Sequence, residues 1–200
     1  MGNVVPLRDL KEATIQPLEE RDDDVLMVLA RQGVDNAFDR LVQRHQAKVL
    51  RMARKILGQP GLASDVAQNT FLEMYRALPR YKACGKFQSY LYRILLNQCR
   101  MALRTKRYEN RTRQTLAEPR IVDPISLPDA KILNDEQQRR LEGALAQLSR
   151  KLRDAVVLRY CADMSYQEIA DVLNIPLGTV KRRLFDGLDR LRRVIAQERN

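Results

Sequence analysis

Thr179, Lys181, Arg182 and Arg183 crowd the polar side of one short stretch near the C-terminus. Arg and Lys side chains donate to phosphate oxygens or to guanine O6 and N7, and a Thr hydroxyl serves either. A second cationic stretch lies mid-chain. From Arg80 to Arg113 there are ten basic residues and one acid, Glu109. An ordinary solvated helix face does not require so lopsided a ratio. Across 200 residues, 36 Lys+Arg face 25 Asp+Glu, a formal charge of +11. That excess points to a polyanionic partner, nucleic acid ahead of an anionic membrane surface.

Catalytic chemistry has little material. Cys84, Cys99 and Cys161 are far apart, without CxxC spacing, and His45 is the only histidine. A zinc knuckle or a Cys/His pair therefore lacks ligands. The thiols read as reduced, small, buried or half-buried apolar residues. Neither a glycine-rich phosphate loop, a GxSxG elbow nor an HExxH helix is present. The acids gather in a leader and a linker rather than in a motif, which disfavours a metal-dependent nuclease. The expectation is a non-enzyme with no cofactor and no metal. No run approaches the ~20 apolar residues of a bilayer span. The first 24 residues lack a signal-peptide core, so a cytoplasmic protein without membrane insertion is expected.

Charge also divides the chain. From Asp9 to Asp39 acids lead nine to three, and from Thr115 to Gln138 they lead five to two. The second of these stretches holds Pro119, Pro124 and Pro128. The predicted organisation is a mobile acidic leader over 1–21, a helical bundle over 22–107, a flexible linker over 108–135 and a second helical domain over 136–200. The fold class is all-α, two small domains joined by that linker.

Apolar spacing supplies the helices. Asp22-Asp23-Asp24 precedes Val25, Leu26, Val28 and Leu29, an acidic entry suited to a helix N-terminus. Phe38, Leu41, Val42, Val49, Met52, Ala53 and Ile56 form a stripe that Gly58-Gln59-Pro60-Gly61 should stop. Val66, Thr70, Phe71, Met74, Tyr75 and Leu78 form the next, opened by Ser64 as N-cap and closed by Pro79. Phe87, Tyr90, Leu91, Ile94, Leu95 and Ala102 give a fourth helix with a basic outer face. In the C-terminal block, Ser165-Tyr166-Gln167-Glu168 has the form of a capping box. Asn174-Ile175-Pro176 is a tight turn, after which Val180, Leu184, Leu188 and Leu191 stack. This is helix, short turn, helix, with Ala170 as the small residue where the two should approach. The cationic Thr179–Arg183 segment then opens a helix of the kind that enters the major groove by its first turns.

Two motifs together resemble one family, the bacterial RNA polymerase sigma factors of extracytoplasmic-function type (group IV of the sigma-70 superfamily). The first runs Ser64-Asp65-Val66-Ala67-Gln68-Asn69-Thr70-Phe71 and continues at Phe87-Gln88-Ser89-Tyr90-Leu91-Tyr92-Arg93-Ile94-Leu95-Leu96-Asn97. The second runs Leu158-Arg159-Tyr160, Met164-Ser165-Tyr166-Gln167-Glu168-Ile169-Ala170 and Gly178-Thr179-Val180-Lys181-Arg182-Arg183-Leu184. The resemblance implies that the first domain is region two, docking on the β′ clamp helices of core RNA polymerase and reading the −10 promoter element. The second would be region four, a helix-turn-helix that reads the −35 element and contacts the β flap.

Residue by residue, the resemblance implies polymerase contacts at Asp65, Gln68, Asn69, Phe71 and Glu73, expected near one face. It implies −10 contacts at Tyr81, Lys86, Tyr90, Arg93, Asn97, Arg100 and Arg104, with Tyr81 and Asn97 holding an unstacked base. It implies −35 contacts at Thr179, Lys181, Arg182, Arg183 and Phe185. The family usually has Trp where Tyr90 stands, an acid where Asn69 stands and Arg where Asp186 stands. The implied partners are core polymerase, promoter DNA and an anti-sigma factor that occludes both domains. Such factors are often membrane-anchored, so a nucleoid-associated protein held at times near the inner membrane is expected. A ligand-sensing helix-turn-helix regulator is the competing reading, and the basic stretch 80–113 is odd for a sensor domain.

Overall fold

A computed structural model describes residues 17–115 and 140–197, and the elements there are helices and turns with no strand among the described residues. Helix α1 (Asp23–Arg31) starts where Asp22 caps it, its carboxylate accepting from the Asp24 amide at 2.8 Å. Asp23 and Asp24 in the first turn and Arg31 in the last complement the helix dipole. Helix α2 (Ala37–Leu57) buries Leu41, His45, Val49, Met52, Ala53 and Ile56 along one stripe. Gly58 ends it at φ +66°, its amide bonded to the Arg54 carbonyl at 2.8 Å.

Helix α3 (Pro60–Ala77) begins four residues before the expected Ser64 cap. Proline at the first helical position has no amide to leave unpaired and a φ already suited to the helix, so Pro60, read as part of the stop, starts α3. The helix ends at Ala77, and a 3-10 turn (Leu78–Arg80) follows around Pro79, the residue expected to close it. Helix α4 (Phe87–Thr115) continues eight residues beyond the predicted boundary at 107. Tyr108 to Thr115 contains neither proline nor glycine, and the first proline is Pro119. Nothing local stops the helix, whatever its polarity. The predicted linker thus begins as helix. The rest of it, 116–135, the first four residues of the predicted second domain, 136–139, and the leader up to residue 16 lie outside the described residues.

In the C-terminal block a helical segment covers 140–146, followed by α5 (Arg150–Cys161), α6 (Tyr166–Leu173) and α7 (Leu177–Gln197). The capping box of α6 forms: Glu168 N donates to Ser165 Oγ at 3.2 Å and Ser165 N to a Glu168 carboxylate oxygen at 2.7 Å. Asn174 takes the left-handed conformation at φ +52° and turns the chain into α7. Ala170 is buried, and a second close approach lies at Gly187, where a Cβ would lie 2.7 Å from Val156 Cγ2 of α5.

The two blocks pack on each other, α5 against α2 and α6 against α4. Arg153 of α5 donates to the Ile56 carbonyl at 2.7 Å, and Lys48 of α2 to the Ala162 carbonyl at 3.2 Å. Leu26, Met27, Leu41, Met52, Met74, Leu91 and Leu95 are fully buried in the first block, Leu158 and Met164 in the second. Each contributes about 1.5–3 kcal/mol of burial.

Candidate nucleic-acid interface

The loop between the 3-10 turn and α4 is organised by a residue 60 positions upstream. Asp24 is 3% exposed. Its Oδ1 accepts from the Tyr81 hydroxyl at 2.8 Å, the Cys84 amide at 2.9 Å and the Gly85 amide at 3.2 Å. Its Oδ2 accepts from the Phe87 amide at 3.2 Å. Arg31, at the other end of α1, donates to the Tyr81 carbonyl at 3.2 Å. Burial, then the hydrogen bond and charge of Asp24, push the Tyr81 hydroxyl well above its ordinary pKa. Tyr81 is therefore a strut, 5% exposed, rather than an open stacking face. Its ring meets Tyr90 edge-on, centroids 5.3 Å apart. Tyr90 is only half-buried and is the more available ring.

This loop and the first turns of α4 bound a cleft of about 560 Å³. Arg80, Lys82, Lys86 and Arg93 line it beside Tyr81, Ser89 and Tyr90. Arg93, Asn97, Arg100 and Arg104 continue along α4 at helical spacing. The C-terminal block closes over part of this surface. Lys86 Nζ lies 2.8 Å from an Asp171 carboxylate oxygen, and Arg93 donates to the Asp171 carbonyl at 2.7 Å. The shifts agree with this exposed pair: its hydrogen bond raises the Lys86 ammonium pKa and lowers that of the Asp171 carboxyl. Arg100 lies 3.6 Å from Asp154, whose carboxyl is pushed up by burial against the opposing pull of Arg100. Arg100 also donates to the Asn97 side-chain carbonyl at 3.2 Å.

The surface of α7 is different. Lys181 and Arg182 are exposed, Thr179 and Arg183 half-buried, and Phe185 is 73% exposed. Arg182 stands 3.7 Å from Asp186, the acid on this face. The polar side of the first turns of α7 thus points outward, as a groove-entering helix requires.

The residues expected on one face of α3 divide between two. Gln68 and Phe71 line a groove of about 600 Å³ between α2 and α3, with Phe38, Val42, Leu72 and Tyr75. Asp65 and Asn69 line a separate cleft against α4, with Gln98, Met101, Thr105 and Lys106. Glu73 pairs with Arg76 at 2.6 Å. Spacing explains the split: positions 65, 69 and 73 share one row of a helix, and 68, 71, 72 and 75 share another. Leu72 and Tyr75 are 52% and 58% exposed. Tyr75 belongs to the expected core stripe, and Leu72 does not. Leu72 lies off the stripe of α3, and that was the available signal.

Cys84 is exposed on the loop, against the expectation of burial, while Cys99 is buried and Cys161 half-buried. Lone His45 is a buried core histidine hydrogen-bonded to Asp23 at 2.8 Å. Among the described residues no cluster of His, Cys, Asp or Glu could hold a metal ion, and no helix is long and apolar enough to cross a membrane.

The chain matches the family models for Sigma-70 region 2 over residues 41–108 and for Sigma-70 region 4 over residues 138–191. It is 31% identical to the RNA polymerase sigma-H factor of Pseudomonas aeruginosa over 84% of this chain and 91% of that protein. It is 28% identical to the ECF RNA polymerase sigma-E factor of Haemophilus influenzae over 84% of this chain and 92% of that protein. Among solved structures, CnrH in complex with the cytosolic domain of CnrY superposes with a TM-score of 0.68 at 24% identity, covering 88% of this chain and 97% of that one. The sigma factor RpoE bound to the anti-sigma factor NepR from Bartonella quintana gives 0.65 at 18% identity, covering 80% and 98%. Those likenesses show the fold. With both region models in order and a relative above 30% identity spanning most of its length, the chain belongs to the sigma-70 family of RNA polymerase sigma factors, non-catalytic transcription initiation factors, in its extracytoplasmic-function branch.

Proposed function

We propose that this sigma factor seats on core RNA polymerase through the groove between α2 and α3 and reads promoter DNA with two separate surfaces. Gln68, Phe71, Leu72 and Tyr75 offer apolar area beside polar groups, the composition of an interface centre. Asp65, Asn69 and Glu73, on the neighbouring row, meet a basic part of the partner at its edge. The −10 element lies along the cleft of Lys86, Tyr90 and Arg93 and the stripe Asn97, Arg100, Arg104. Tyr90 stacks an unpaired base and Asn97 bonds its edge. Tyr81 shapes that pocket from behind. The −35 element takes Thr179, Lys181, Arg182 and Arg183 of α7 in its major groove, with Phe185 against a thymine methyl.

One observation carries this reading. Two cationic surfaces stand on two helical blocks, one lining an aromatic cleft and the other an outward helix-turn-helix face. Each good base contact discriminates by ~1–3 kcal/mol, so neither surface alone selects a promoter strongly. Tethering both to one large enzyme multiplies them through effective concentration. The contacts of Asp171 with Lys86 and Arg93 must break before the −10 strand can enter. An anti-sigma factor that stabilises the closed arrangement would keep the chain inactive, and the RpoE structure with its anti-sigma factor supports a partner of that kind.

The test is run-off transcription with core polymerase on genomic fragments, beside a mobility shift of the chain alone. Transcription from discrete start sites is expected with core, and scarcely any duplex binding without it. Failure to assemble with core at low salt would overturn the reading. Tight binding of the isolated chain to palindromic DNA would favour the ligand-sensing regulator instead.

A further inference from the structure

Three consecutive acids open α1, and each does something different. Asp22 caps the helix, and Asp23 pairs with Arg44 and His45. Asp24 alone turns into the protein and meets four donors from the segment 81–87. Three of them are backbone amides. Neighbouring amides pointing at one spot form a nest that binds an anion, and here the anion is a side chain 60 positions before Cys84 in the chain. The last of the four donors in sequence, Phe87, is the first residue of α4. Asp24 therefore also caps α4 from outside and sets where that helix begins. The start of α4 determines the direction in which Ser89, Tyr90, Arg93 and Asn97 face.

We propose that Asp24 is the positioning residue of the −10-reading surface: its buried carboxylate shapes the 81–86 loop and fixes the start of α4, so that base selectivity at the −10 element depends on a residue that touches no DNA. This rests on the promoter-reading role proposed above. Nothing in the hydrogen bonding of Asp24 reaches the groove between α2 and α3, or the α6–α7 unit. The loop it shapes reaches α6 through Lys86 and Asp171, a contact that must open before DNA enters, so in the open chain the effect of Asp24 falls on the −10 element.

Asp24→Asn is the first variant. The amide nitrogen that replaces one carboxylate oxygen would face an N–H or O–H donor, a donor set against a donor. Gly85→Ala is the second. Gly85 is exposed at φ +68° and a Cβ there meets nothing within 4 Å, so its only effect is to bias the loop backbone. Full-length wild type and both variants are assembled with core polymerase from the same organism. Each transcribes a pool of linear duplex templates randomised over both promoter elements, and the transcribed templates are sequenced. Asp24→Asn is expected to reduce enrichment of the favoured −10 sequence roughly tenfold, the scale of one base contact. Enrichment at −35 and affinity for core should stay within about twofold, as expected of distant sites. Gly85→Ala should move −10 enrichment in the same direction by less. A merely structural role would lower yield on all templates without flattening −10 alone.

Unchanged −10 enrichment in a cooperatively melting Asp24→Asn chain overturns the proposal. If that variant does not melt cooperatively, Gly85→Ala decides, and wild-type −10 enrichment there overturns it equally. A wild-type chain that enriches no sequence removes the promoter-reading role itself, a different failure.

Discussion

The two cationic surfaces are built by opposite means. The α6–turn–α7 unit is specified within about thirty residues: Ser165 and Glu168 cap α6, Asn174 turns left-handed, and Val180, Leu184 and Leu191 bury one face of α7. The loop 81–86 makes few bonds of its own. It takes its shape from Asp24 and Arg31, on a helix more than fifty positions earlier. A locally encoded surface can keep its geometry while its neighbours move. A surface held by long-range bonds is coupled to whatever moves α1. The same contrast separates the described state of the two surfaces. The first turns of α7 are open, whereas Lys86, Arg93 and Arg100 are engaged by the other block.

The sharpest way to break the comparison is to reverse charge on the open surface. Lys181→Glu with Arg182→Glu is expected to lower −35-dependent transcription at least about a hundredfold, from two lost contacts at ~1–3 kcal/mol each plus repulsion. Core binding, measured by pull-down, should be unaffected; losing both together would show that α7 is not the reading helix. Next comes Gly187→Leu. The side chain has no space beside Val156, so thermal unfolding should show about 1–3 kcal/mol of destabilisation, or more, with α7 displaced from α5. Ser165→Ala removes half of the capping box and should cost about 1 kcal/mol, the local counterpart of the long-range Asp24 change.

Two smaller effects concern titration and reactivity. Burial raises the Asp23 pKa, but the hydrogen bonds and charges of His45 and Arg44 outweigh it and hold the carboxyl below its ordinary value. The linked stability is present above the ordinary carboxylate pKa of ~3.9 and is lost as pH falls through the depressed value. Asp23→Asn should therefore flatten the acid limb of stability against pH, with urea midpoints as the measure. Finally, burial pushes the Cys99 thiol up to about 12, whereas Cys84 lies exposed on the loop. Iodoacetamide at pH 8 should modify Cys84 within minutes and spare Cys99 until the chain unfolds, as read by peptide mass.

Much of the architecture was legible because its causes are local. A capping box, an apolar stripe at three- and four-residue steps and a proline stop each act within a few residues. Two boundaries were misread for equally physical reasons. Gly58 ends one helix while Pro60 starts the next, and nothing between Tyr108 and Thr115 stops a helix. The site was legible in residue type but not in arrangement. Arg93, Asn97 and Arg104 lie on one stripe because spacing says so, whereas Tyr81 turns out to be a buried strut. On α3, Asp65 and Asn69 part from Gln68 and Phe71 because three- and four-residue steps from different starts follow different rows.

The amino-acid chain alone determined that two cationic helical blocks exist, where their caps lie and which helix carries Thr179 to Arg183. Those features depend on backbone propensity, capping and periodicity, all short-range. Only the tertiary structure decided that Asp24 meets Tyr81, Cys84, Gly85 and Phe87, that Gly187 must lack a side chain, and that Asp171 closes over Lys86. Each of these depends on which groups distant packing brings within hydrogen-bond or van der Waals distance, and no local pattern encodes that distance.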